Sequence, residues 1–181
     1  MKKKTKKKVK KGLVPLGCLR VQVSEEPISP PMEDGPADLS AELDSVLDDA
    51  RQTLNHYGEC PAVAILFTVS KKLFLILNVT NDNDKITAKA TVRAWVKKHR
   101  AKAAILVTEV WIRPSGSISR EDPRREEALV AVAKSRCGHF MAVQRFHRLS
   151  DGQFFFEKPS VLDLQKNSWR DDDSWLGNIH F

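Results

Sequence analysis

At 181 residues the chain is long enough for one domain with tails, and its 41% hydrophobic content is enough for a core. Lys and Arg outnumber Asp and Glu by 30 to 23, a formal +7, but eight lysines (Lys2, Lys3, Lys4, Lys6, Lys7, Lys8, Lys10 and Lys11) fall within the first twelve residues. Without those eight, 22 basic residues face 23 acidic ones, which excludes a generally cationic domain and places the excess charge on a string.

The three cysteines, Cys18, Cys60 and Cys137, are odd in number and form no C-x-x-C pair, so the sequence argues for a reducing, cytoplasmic setting. No apolar run approaches the roughly 18 residues that span a bilayer. The apolar stretch before Cys18 is broken by Pro15 and is shorter than the roughly 7–15 residues of an export signal. Composition divides the chain into a basic, Pro-rich leader over 1–37, a single domain over 38–160, and an acidic, Trp-containing tail over 161–181.

The first predicted element follows Asp38, a helix cap. Leu39, Leu43, Val46, Leu47, Ala50, Leu54 and Tyr57 make one apolar stripe at helical period, and Gly58 is a stop. Its outer face is acidic, with Glu42, Asp44, Asp48 and Asp49. Pro61–Val69 and Leu73–Thr80 read as two strands of a hairpin around Ser70-Lys71-Lys72. The run 81–84 supplies a turn and a cap for a second helix over 85–100, with Ala88, Val92, Trp95, Val96 and His99 facing inward.

Residues 103–113 form the strongest predicted strand, followed by a polar loop to Arg125. Strands near 128–134 and 139–148 and a short one at 153–157 complete the order. The expected fold is α+β, in the order α-β-β-α-β-β-β: one mainly antiparallel sheet packed by two helices. Roadblock and profilin-like domains share this order, an analogy of fold that carries no function.

The catalytic signatures are missing: there is no G-x-S-x-G, no Walker-type phosphate loop, no G-x-G-x-x-G and no H-E-x-x-H. His139 and His147 fall on one face of a strand but about 26 Å apart, too far to share a metal ion. Neither a metal nor a cofactor is expected. One cluster has the residue types for acid–base or phosphate chemistry: Glu109, Trp111, Arg113, Arg124, Arg125, Glu126 and Glu127, where a strand end meets a loop. Glu109, Arg124 and Glu126 are its catalytic candidates. The alternative is an ion-pair network pinning the loop to the sheet, and the balance of features favours binding over catalysis.

The same segment carries a resemblance. Thr108-Glu109-Val110-Trp111 followed by Arg124-Arg125-Glu126-Glu127-Ala128-Leu129 is similar to a group of small bacterial proteins of unknown function with an acidic-x-Trp strand and an Arg-Glu-Glu-Ala-Leu segment. The similarity spans roughly residues 40–148 and implies a bacterial or phage setting.

Charge gives the functional expectation. Lys85, Lys89, Arg93 and Lys97 recur at steps of four on the second helix, extended by Lys98 and Arg100, with no acid between 85 and 102. With the eight tail lysines they suit a polyanion, RNA or DNA contacted without sequence preference, or an acidic protein surface. Anionic lipid would attract the tail in the same way. The acids of the first helix or Asp171-Asp172-Asp173 are internal alternatives as counter-charge. Trp169 and Trp175 in the tail are candidates for docking a protein partner or for anchoring the tail to the sheet. The second expectation is therefore a protein–protein adaptor or inhibitor, and the third an enzyme using Glu109 and Arg124.

Overall fold

The computed structural model describes residues 21–112, 123–165, 176 and 181. The lysine tail and the two tail tryptophans lie outside the described residues. Within them are β1 (Val21–Pro27), α1 (Leu39–Tyr57), β2 (Ala62–Phe67), β3 (Lys71–Leu77), α2 (Asp82–His99), β4 (Ala103–Ile112), β5 (Glu126–Ser135), β6 (His139–Arg148), β7 (Phe154–Phe156) and β8 (Ser160–Asp163). The strands form one antiparallel sheet in the order β1-β3-β2-β4-β5-β6-β7, with β8 also paired to β6. This is the expected α+β arrangement with two helices.

Local chemistry accounts for the helix limits. The Asp38 carboxylate accepts from the N–H groups of Ser40 and Ala41, both at 3.0 Å, satisfying two of the amides that a helix start leaves without partners. Gly58, at φ 76°, ends α1 in the left-handed conformation and donates its N–H to Leu54. Asn81 caps α2 through the Asp84 N–H at 2.9 Å, and Asp84 in turn accepts from the Thr80 N–H and hydroxyl. Those Thr80 hydrogen bonds, hydroxyl first, lower the Asp84 pKa below the usual carboxylate range.

The two helices cover opposite faces. Leu43, Leu47 and Leu54 of α1 pack with Ile65, Phe67, Ile105, Val107, Leu129 and Phe146 on one side. Ala88, Val92 and Val96 of α2 pack with Leu66, Leu73, Leu75, Leu106 and Val132 on the other. Alternation along the strands assigns each residue to its face, and each fully buried Leu, Ile or Phe contributes about 1.5–3 kcal/mol. Lys72 pairs with Glu42 at 2.7 Å, fixing α1 to β3. The buried Gln144 accepts from Arg51 at 3.3 Å and donates to the Glu157 carbonyl at 2.8 Å, tying α1 to the chain beyond β7.

Two elements fall where the composition indicated tails. Val21–Pro27, inside the segment read as a leader, is an edge strand paired in full with β3. An edge tolerates its Pro27 and its two glutamates because half of its backbone needs no strand partner. At the other end β8 extends the sheet, and Leu176 is fully buried against the α2-side core, where Phe181 also packs. The hairpin forms as expected but turns two residues earlier, at 68–70, where the Thr68 hydroxyl accepts from the Lys71 N–H.

Candidate functional site

β4 outruns its neighbour. It pairs with β2 only from Ala103 to Val107, but with β5 along its whole length to Ile112. Where β2 has not yet begun and β3 has ended, a cleft of about 840 Å³ opens beside the overhang. Its wall includes Cys60, Asn78, Thr108, Glu109, Trp111 and Arg125, together with Lys85 from the first turns of α2. A cleft of this size at a strand end is within the range of small-ligand sites.

Glu109 is half-enclosed and fully engaged. One carboxylate oxygen accepts from the Cys60 N–H at 3.3 Å, and the other from Arg148 Nη2 at 3.0 Å. Arg148 also donates Nε to both oxygens of Glu127, at 2.9 and 3.0 Å, and Nη1 to the Gly58 carbonyl at 3.0 Å. These contacts hold its guanidinium pKa above the ordinary arginine value, the hydrogen bond to Glu127 being the largest favourable cause against the opposing effect of burial. The network ties the end of α1 to β4, β5 and β6.

The three catalytic candidates are not assembled. Glu109 is on the α1 side of the sheet, with Leu129 opposite it. Glu126 is opposite Ile112, an odd number of residues along, so it projects from the other face. There it pairs with Arg145 at 2.7 Å. Arg124 is exposed in the turn before β5. One reacting atom cannot meet both carboxylates through the sheet.

Cys60 lines the cleft as a thiol, not a thiolate. Burial, then the Glu109 charge, pushes its pKa up to about 11. In a Cys18→Ser, Cys137→Ser variant, Cys60 is expected to resist an aromatic disulfide reagent near pH 8 until the protein unfolds. Rapid labelling of the native protein would contradict this placement.

The basic residues of α2 do share a surface. Lys85, Arg93, Lys97, Lys98 and Arg100 are exposed and Lys89 is half-buried, while Ala88, Thr91, Val92 and Val96 face the sheet. At 1.5 Å per residue, Lys85, Lys89, Arg93 and Lys97 are spaced about 6 Å apart along roughly 18 Å of ridge. Lys85 pairs with Asp82 at 3.0 Å in an exposed contact, and Lys98 sits 5.2 Å over Trp95. Trp95 stacks on His99, whose pKa is lowered by burial and then by the Lys98 and Lys71 charges. α1, with its acidic outer residues, covers the opposite face of the sheet from this ridge.

In the sequence the ridge and the Glu109–Trp111 segment are separate features. Lys85 belongs to both, because the second helix starts at the lip of the cleft. In the sequence Arg148 is only the end of a predicted strand. Nothing in its own sequence neighbourhood signals partners on three other elements.

Among the described residues no group of His, Cys, Asp and Glu is arranged to hold a metal ion. No helix of the described residues is long and apolar enough to cross a membrane. Compared with known proteins, the chain matches no family, no curated protein and no solved structure.

Proposed function

We propose that this is a non-catalytic binding protein that engages RNA or DNA through the cationic ridge of α2 and the lysine tail. The observation that carries the reading is the ridge itself: the exposed Lys85, Arg93 and Lys97 and the half-buried Lys89 at regular spacing, with the acidic helix on the opposite side of the sheet. Like charges at i,i+4 cost a helix about 0.2–0.5 kcal/mol per pair, and an anionic polymer converts that cost into attraction and counterion release. Lys97 and Lys98 in the last turn also suit the helix dipole, which offsets part of the cost in the free protein. Contact through lysines spaced along a backbone is indifferent to base sequence.

Filter binding tests the reading. Changing Lys89, Arg93 and Lys97 to Gln is expected to reduce the slope of log affinity against log salt by about 2–3, at roughly 0.7–0.9 per phosphate contact. Deleting residues 1–12 should weaken binding further. Affinity that is flat between about 50 and 200 mM salt, or unchanged by both alterations, contradicts the proposal.

A second reading, a protein–protein adaptor, is favoured by Leu149, Phe155, Val161 and Leu162, which are exposed along the far edge of the sheet. A protein partner that remains bound after nuclease treatment, and is lost on Phe155→Ser, would support it.

A further inference from the structure

We infer that the cleft beside the β4 overhang takes an unstacked base of a single-stranded nucleic acid, seated against Trp111 with the adjoining phosphate at Lys85. The inference rests on the reading of α2 as a polyanion ridge and adds to it a preference for single strands. Three observations converge on it.

First, Trp111 is 51% exposed, although it is the largest side chain on the overhang and its strand is otherwise buried toward the centre of the sheet. An indole held at a cleft wall with about half its surface open is the geometry that base stacking uses.

Second, Arg125 lies 4.2 Å over the Trp111 ring. A guanidinium on an aromatic face extends the flat surface, adds positive charge to it, and can itself stack on a base.

Third, Lys85 lines the same cleft from the α2 side, while Trp111, like Glu109, projects from the α1 side. A strand whose phosphates follow Lys97, Arg93 and Lys89 therefore reaches the cleft at Lys85 and meets the indole past the start of β2, where no strand lies beside the overhang. Asn78 on the wall offers an amide that both donates and accepts, which suits the edge of any base. The cleft volume of about 840 Å³ accommodates one nucleotide with room to spare.

Duplex DNA keeps its bases stacked and paired, so it would meet only the ridge. The test therefore compares a roughly 12-nucleotide fluorescein-labelled single strand with the corresponding duplex, by anisotropy, using the full chain. Trp111→Leu is expected to weaken single-strand binding about 5- to 150-fold while leaving duplex binding within about twofold. Trp111→Phe should retain most of the single-strand affinity, because a ring remains. Unchanged duplex binding also shows that the variants fold. If the wild-type chain binds both probes and Trp111→Leu binds the single strand as well as wild type does, the stacking site is wrong and the ridge stands. Parallel loss of both probes, or Trp111→Phe as weak as Trp111→Leu, also overturns it. A wild-type chain that binds neither probe removes the ridge reading and this site together.

Discussion

Phe146→Ala is expected to cost about 3–5 kcal/mol, a large part of the 5–15 kcal/mol that holds a domain together. Phe146 is 1% exposed, and the rings of Phe154 and Phe156 each sit 5.8 Å from it, so its removal opens a cavity that three elements border. Those two rings also bring β7 onto β6, and Phe146 itself packs within the α1-side core. Urea denaturation should show a lower midpoint, and amide exchange across Phe154–Phe156 should quicken more than across β4. A loss below about 1 kcal/mol would mean that the aromatic cluster is not packed as described.

Arg148→Met is expected to cost about 2 kcal/mol. The Arg148 side chain is 43% exposed, which holds the cost below the 3–5 kcal/mol of a broken, fully buried pair. Methionine keeps an unbranched apolar chain but removes the guanidinium that lies 5.8 and 5.0 Å over the Phe146 and Phe154 rings, and with it every donor to Glu127, Glu109 and Gly58. Two carboxylates then face each other without their shared cation. Repulsion raises the folded-state proton affinity of such a pair, so stability falls as pH rises through the carboxylate range. The deficit relative to wild type should therefore be largest near neutrality and should shrink in acid. Adding Glu127→Gln should recover part of it. A deficit that does not vary with pH would show that the charges are not what Arg148 balances.

Both predictions concern contacts that the sequence hid, whereas the elements themselves were legible. Leu39, Leu43, Val46, Leu47, Ala50 and Leu54 recur at helical spacing between an Asp cap and a Gly stop and are buried in α1, whereas Tyr57, the seventh member of the expected stripe, is exposed at the last residue of the helix. Ala103–Ile112 and the two strands after it also lie close to their expected positions. Those signals are local: a period, a cap, a turn.

Val21–Pro27 gave no such signal, since Glu25, Glu26 and Pro27 resemble linker and its partner strand is some fifty residues away. Val161–Leu162 is too short a run to show alternation. The cleft was invisible for a related reason. It exists because two neighbouring strands stop at different heights, a property of register that no single strand encodes. The same register separates Glu109 from Glu126, which look like companions when read along the chain.

The edge position of β1 bears on how the chain assembles. The turns joining β2 to β3 and β5 to β6 close within a few residues, whereas pairing Val21–Pro27 with Leu77–Lys71 closes a loop of roughly 45–55 residues. Loop-closure entropy makes that pairing a late step, after the hairpins and the helices have formed. As an edge strand with a partner on one side alone, β1 is also among the least costly parts of the sheet to open. Because β1 is the first strand among the described residues, the last piece of the domain to lock is also the one nearest the lysine-rich segment in sequence.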